Sequence, residues 1–202
     1  MLILSFNAGI TNKFYTFVLR CISVIKKQKH LFVLSCGMKN NDNAMKIECK
    51  FRTATMKDIQ ELKKLFCNTV MTVNRRDYTA EEVADWASCC ESDGRWEQLL
   101  STLYFIVATD VEGQMLGFTA LRGDGYLHSM FVHKDYQRQG IATALLQKIE
   151  AYASEHGIKE MTSEVSITAR PFFEHHGYKV EREQRVQANR MIMTNFMMRK
   201  II

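Results

Sequence analysis

The stretch that most constrains this chain runs from Tyr126 to Gly157. A run of β-forming residues (Tyr126 to Val132) leads through a polar connection, His133 to Gln139, to Gly140. From there Ile141, Leu145, Ile149 and Ala153 recur at helical spacing, and Gly157 stops the helix. A strand feeding directly into a glycine-initiated amphipathic helix commits the chain to layered helix and sheet. It also creates a site. The first N–H groups of a helix have no partner within it, and the helix dipole adds partial positive charge where they emerge. With Gly140 removing a Cβ, Ala142 keeping the next turn low, and Arg138 and Thr143 adding charge and a hydroxyl, the helix mouth reads as a pyrophosphate cradle. Read without context, the same glycine only permits a tight turn.

The flanking sequence supplies the remaining layers. Thr55 followed by Asp58 reads as a helix start, and Ile59, Leu62, Phe66 and Val70 follow at helical spacing. A second helix spans Ala80 to Ser88 with Trp86, and Gly94 is expected to separate it from a short piece, Trp96 to Leu100. Leu103 to Ala108 and Met115 to Leu121 read as strands joined by an acidic turn. Met161 to Val165 reads as a strand, Thr168 to His176 as a short helix, and Tyr178 to Val186 with Met191 to Arg199 as a final strand pair.

Charge and cysteine content limit the function classes. The formal net charge is +5, but residues 1–44 hold six Lys or Arg against the single acid Asp42. Residues 45–202 are therefore balanced, and no basic face for nucleic acid is expected in them. The six cysteines fall at irregular spacings without a C-x-x-C pair, so neither structural zinc nor another metal is expected. Reduced thiols and a cytoplasmic setting fit that pattern.

Residues 1–44 stand apart. Their apolar residues are interrupted by Asn7, Asn12, Lys13 and Arg20, so no run reaches the roughly 18 residues of a membrane span, and the order of apolar and basic residues is not that of a secretory signal. The segment is expected to be a disordered leader or to precede a start at Met45; the rival reading is a basic amphipathic anchor at a membrane surface. A domain then fills 45–202.

The run V-H-K-D-Y-Q-R-Q-G-I-A resembles motif A of the GNAT (Gcn5-related N-acetyltransferase) superfamily, Q/R-x-x-G-x-G/A, at Gln137 to Ala142. Ser166 to Glu174 (S-I-T-A-R-P-F-F-E) and Thr194 to Arg199 (T-N-F-M-M-R) are similar to segments of small bacterial stand-alone members. The resemblance implies an α/β (α+β) fold with a central mixed, mostly antiparallel twisted sheet of six to seven strands and about four flanking helices. It also implies acetyl-CoA as cosubstrate, with the pantetheine arm on the backbone of Met130, Phe131 and Val132 and the pyrophosphate on Arg138, Gln139, Gly140, Ile141, Ala142 and Thr143. The acceptor would be a small-molecule or peptide amine lodged near Asn74, Tyr78 and Trp86, with Arg75 and Arg76 beside them. No nucleic-acid or membrane partner is implied, and homodimers are frequent in the superfamily.

An ammonium of pKa about 10.4 is almost entirely protonated at pH 7, so a general base is useful. By the resemblance Glu164 takes that role, against the alternative of a solvent-facing strand carboxylate. His128 is a second proton carrier to weigh against a packed histidine. Many members place a tyrosine four residues before the glycine that ends the short helix, as the acid for the departing thiolate; this chain has Phe173 there. Tyr178 reads as a packing aromatic, leaving open whether another group protonates the thiolate. An acyl-CoA-binding regulatory module with little turnover is the alternative function.

Overall fold

The structure, a computed structural model, describes residues 48–202 together with the two-residue strand β1 (Val33–Leu34). The expectations for the rest of 1–44, and for a start at Met45, lie outside the described residues. The chain continues as β2 (Cys49–Thr53), α1 (Ile59–Val73), α2 (Ala80–Ser88), α3 (Asp93–Thr102), β3 (Tyr104–Thr109), β4 (Met115–Leu121), β5 (Leu127–Val132), α4 (Ile141–Glu155), β6 (Glu160–Ser166), α5 (Arg170–His175), β7 (Lys179–Gln187) and β8 (Ile192–Ile201).

The helix starts follow local chemistry. Asp58 Oδ2 accepts the Thr55 N–H at 2.7 Å and holds the short turn that opens α1. Thr79 and Glu82 cap each other's backbone at 2.8 and 3.2 Å at the start of α2. Gly94 does not act as the expected separator. Ser92 caps α3 by accepting the Arg95 N–H at 3.4 Å, and Gly94 lies inside the first turn, where tertiary packing of Trp96 outweighs the modest helix penalty of one glycine.

Strands β1 to β5 form one antiparallel sheet in sequence order, and β6, β8 and β7 form a second. The expected architecture of mixed sheet with flanking helices is present, with eight strands and five helices among the described residues. β3 and β4 are buried along nearly their whole length because helices cover both faces. Alternate residues divide accordingly: Phe105, Val107 and Phe118 pack with Leu62, Val83, Trp86 and Trp96 on the α1–α3 side. Ile106, Ala108 and Leu116 pack with Leu145, Ile149 and Phe173 on the α4–α5 side.

The two sheets meet at one point. A single parallel bridge links Tyr126 to Thr162, with the Thr162 N–H donating to Gly125 O at 3.1 Å and Ser163 Oγ to Leu127 O at 2.8 Å. Gly125 makes this approach by adopting φ +91°, and a Cβ there would lie 2.2 Å from Glu160 O. Beyond that contact β5 and β6 carry no ladder between them, so they open as the arms of a V.

Candidate acetyl-CoA site

The phase of the β4–β5 ladder decides what faces the V. The His133 N–H donates to Leu116 O at 2.8 Å, and the register pairs Phe118 with Phe131. In an antiparallel ladder alternate residues turn their backbone groups to the neighbour. Phe131 and His133 therefore face β4, whereas Met130 and Val132 present theirs to the gap. The Val132 carbonyl is already held, by Thr69 Oγ1 at 3.1 Å and Gln137 Nε2 at 2.6 Å. The Met130 N–H and carbonyl and the Val132 N–H are left as the strand-like edge for an extended ligand. Phe131 itself packs its ring on Phe118 and Phe66 in the core.

Past Val132 the chain turns into α4. Gln137 pins the turn by also donating to His133 O at 3.1 Å. Arg138 takes φ +63° and Gly140 φ +79°, both in the left-handed region. For arginine that conformation costs roughly 1–2 kcal/mol. Left-handed residues leading into a right-handed helical turn bring successive N–H groups to one side, an anion-binding arrangement. Arg138, Gln139 and Gly140 are exposed, and the Ile141, Ala142 and Thr143 amides open a 15-residue helix. The Ile141 side chain anchors the turn in the core, while Thr143 Oγ1 lies 3.3 Å from His176 Nε2. His176 Nδ1 is 2.8 Å from Phe172 O and so carries the proton, which makes the threonine hydroxyl the donor to Nε2. An exposed cradle with a glycine at its lip, continuous with an open strand edge, fits the diphosphate and pantetheine arm of a CoA thioester. Among the described residues no group of three or more His, Cys, Asp or Glu is placed to hold a metal ion.

Glu164 lies two residues beyond the bridge on β6, where the arms have begun to part. Met161 and Val165 turn to the α4–α5 core, and Glu164 turns the other way. Desolvation pushes its carboxyl pKa up, while hydrogen bonds from Asn195 and Gln184 and the charge of Arg182 pull part of the way back. Arg182 Nε donates to Gln184 Oε1 at 3.0 Å, and Asn195 Nδ2 lies 3.5 Å from Glu164 Oε2. Gln184 and Asn195, absent from the sequence reading, are directly paired across β7 and β8. They share a strand face with Val186 and Met193, which was the available signal, but only the strand register shows that Asn195 lies on the strand next to β6, with Gln184 one strand further out.

His128 sits at the other end of β5. Ala120 pairs with Ser129 and Leu121 with Leu127, so His128 is the extra residue of a β-bulge. Its Nδ1 is 2.6 Å from Ser129 Oγ. Burial, aided by the positive charges of Arg95 and Arg122, pulls its pKa down to about 4. The ring is therefore neutral at pH 7, one nitrogen an N–H donor and the other an acceptor, and is no imidazolium acid there.

The three residues expected around the acceptor adjoin one another, the Tyr78 N–H donating to Asn74 O at 3.1 Å, but each serves structural bonds or packing. Asn74 is fully buried, with Nδ2 3.4 Å from Thr168 Oγ1 and no donor on Oδ1. Tyr78 OH accepts the Ile167 N–H at 2.9 Å and donates to Thr194 O at 2.8 Å, so it ties the α1–α2 connection to the end of β6 and to β8. Trp86 offers no surface to a ligand: it is fully buried, with its ring edge against Tyr78 at 5.7 Å, because α2 turns its apolar face to the core. Phe173 and Tyr178 are likewise core residues, ring to ring at 5.0 Å, and the Tyr178 hydroxyl points at Met161 Sδ. Burial raises the Tyr178 pKa, which removes it as a donor to a thiolate in the cleft.

A splayed strand pair with an anion cradle at a helix mouth defines an acyl-CoA-dependent transferase class of fold. Residues 74–200 match the family described as acetyltransferase (GNAT) domain, and the chain belongs to that family. It is 34% identical over 142 residues to a protein of Escherichia coli strain K12 named uncharacterized N-acetyltransferase YafP, covering 70% of this chain and 89% of the relative. Among solved structures it is similar to a GCN5-related N-acetyltransferase from Rhodopseudomonas palustris, with 25% identity and TM-score 0.75 over 79% of this chain and all of that one. It shares its fold with the PaiA N-acetyltransferase of Thermoplasma acidophilum in complex with coenzyme A, with 17% identity and TM-score 0.64 over 77% of this chain and all of that one.

Proposed function

We propose that the protein transfers the acetyl group of acetyl-CoA to a primary amine by direct attack, with Glu164 as general base. The observation that supports this is a desolvated carboxylate on β6 two residues past the bridge to β5. The cradle amides from Arg138 to Thr143 hold the diphosphate, and the Met130 and Val132 backbone aligns the pantetheine arm along β5. Glu164 takes a proton from the acceptor ammonium. The amine lone pair forms the C–N bond as the C–S bond breaks, with its electron pair leaving on sulfur. The net change is R–NH3+ plus acetyl-CoA to the N-acetyl amide, CoA–SH and H+. A raised carboxyl pKa serves this because proton transfer is most effective when the base titrates nearer the working pH.

The position four residues before Gly177 holds Phe173, and the Tyr178 hydroxyl is turned into the core toward Met161, so neither supplies a proton to sulfur. With thiol chemistry near pKa 8.5, the thiolate leaves without an acid at the sulfur and is protonated through solvent, which takes up the second proton lost from the amide nitrogen. The fully buried Phe173 also favours a second reading, a CoA-binding module with little turnover. The acceptor is a small-molecule or peptide amine. Cys49, Cys67, Cys89 and Cys90 are free thiols, which suits a cytoplasmic enzyme.

The test is release of free CoA thiol from acetyl-CoA across a panel of amines and peptides, with Glu164→Gln alongside. Loss of a general base lowers kcat by about 100-fold or more while the Kd for acetyl-CoA stays unchanged. A Glu164→Gln variant with wild-type kcat removes the base assignment, and tight CoA binding without thiol release from any amine supports the module.

A further inference from the structure

Asn195 stands on β8 directly opposite Ser166 of β6 and Gln184 of β7. Its side chain is fully buried, and on the same face of β8 its neighbours are Met193 and Met197. An apolar residue would fill this place, yet the position carries a carboxamide whose Nδ2 approaches Glu164 at 3.5 Å and whose Oδ1 is buried with no donor. A buried amide oxygen without a donor is uncommon and points to a role beyond packing.

The carboxamide is a neutral group with a donor and an acceptor at positions exchanged by a half-turn of its plane. A donor on Oδ1 would resist that turn. None is present, so the half-turn sacrifices no bond on the oxygen side. Gln184 differs in this respect: its Oε1 is held by Arg182 Nε at 3.0 Å, which keeps its NH2 toward Glu164 and suits the ionised carboxylate alone. Arg182 is the charged group facing Glu164 across the sheet.

We propose that Asn195 is a positioning residue that holds Glu164 in both of its charge states. It donates to the carboxylate awaiting the ammonium proton, and after a half-turn it accepts from the O–H formed once that proton has moved. This rests on Glu164 as the base. The consequence is specific: in the orientation seen here Asn195 donates to the anion and draws the pKa down, but a partner that can turn to serve the protonated form as well gives most of that shift back, whereas Gln184, held by Arg182, serves the anion alone.

The experiment compares Asn195→Leu with Gln184→Leu. Glu164 is titrated by carboxyl 13C NMR in the protein without acceptor, and kcat is followed against pH with the amine that wild type turns over fastest. In Gln184→Leu the titration moves up by about one unit, as expected for losing a hydrogen bond to the charged form. In Asn195→Leu it stays within about 0.3 unit of wild type, a difference small against that one-unit loss. Its kcat falls about tenfold or more at every pH as the base loses its aim, with the acid limb unmoved and the KM for acetyl-CoA unchanged. Asn195→Ala, which inserts nothing, gives the same result where leucine does not pack. A titration in both Asn195 variants that rises as far as in Gln184→Leu overturns the two-state role, as does an unchanged kcat. Wild-type kcat in Glu164→Gln marks a different failure, that of the base itself.

Discussion

The hydroxyl of Tyr78 and the backbone N–H of Ile167 are hydrogen-bonded at 2.9 Å across 89 residues of chain. With its second bond, to Thr194 O at 2.8 Å, that hydroxyl fixes the α1–α2 connection against β8 and against the residue that follows β6, the strand that carries Glu164. The α1–α2 connection is therefore held to the second sheet by a side chain serving the backbone, and Trp86 behind it supplies packing.

Tyr78→Phe tests that relationship. It preserves the ring against Trp86 but leaves the Ile167 N–H and the Thr194 carbonyl without their partner. We expect a loss of about 2–3 kcal/mol, because a buried polar group deprived of its bond keeps its desolvation cost. That corresponds to a fall in Tm of roughly 6 °C by differential scanning calorimetry. Affinity for acetyl-CoA, set on the other side of the V, should stay unchanged. A Tm within about 1 °C of wild type would show that the hydroxyl does not hold the connection.

Asp85 is a second tie between the same layers. Its carboxylate accepts the backbone N–H groups of Asn189, Arg190 and Met191, each at 2.9 Å or 3.0 Å, in the β7–β8 hairpin. Desolvation works to raise its pKa, but these N–H groups and the Arg190 charge outweigh it and hold the carboxyl below the usual range. A depressed acid stabilises the fold above its unfolded pKa near 3.9, and that contribution is lost as pH falls through the folded value. At this half-buried site Asp85→Ala should cost about 1 kcal/mol at pH 7. The difference from wild type should vanish at strongly acid pH. Faster amide exchange at Asn189 to Met191 in the variant is the local check.

How much of this could be read from the chain depends on the range of the contacts. The cradle lies within a contiguous strand, turn and helix, so Gln137 to Thr143 carry their own signal, as do the Thr55–Asp58 and Thr79–Glu82 caps. Gln137 was legible as motif and not as role: its carboxamide serves Val132 and His133 carbonyls within the turn. Gly94 misled because a serine cap two residues earlier decided where α3 begins. Asp85 with Asn189, Tyr78 with Ile167, and Glu164 with Asn195 join segments 104, 89 and 31 residues apart. No local periodicity encodes such pairs. The same blindness put Trp86 forward as an acceptor residue, where the structure shows it fully buried against Tyr78.

His128 makes a prediction about pH. Its folded pKa is about 4, against about 6.5 in the unfolded chain. Below pH 6.5 the unfolded state therefore binds a proton that the folded state refuses, and stability declines as pH drops from 6.5 toward 4. Above 6.5 the residue contributes nothing to the pH dependence. Its C2 proton should titrate near pH 4 by NMR. His128→Gln should leave the shape of the kcat profile between pH 6 and 8 unaltered on the scale of the histidine pKa. An inflection near neutrality that disappears in the variant would return His128 to the proton path.

The cradle is tested where strain and charge can be separated. Gly140 holds φ +79° at the mouth of α4, a conformation that costs an L side chain roughly 1–2 kcal/mol. Gly140→Ala adds that strain and a methyl group but no charge, so CoA should bind about tenfold more weakly. Gly140→Glu adds the same strain together with a carboxylate where the diphosphate must lie, against the helix dipole's preference for the ligand anion. Its affinity should fall at least about 100-fold. Calorimetry with CoA separates the two contributions, because the additional loss from alanine to glutamate should shrink as salt screens the repulsion. Equal affinity in the two variants would mean that the diphosphate does not sit at this helix mouth.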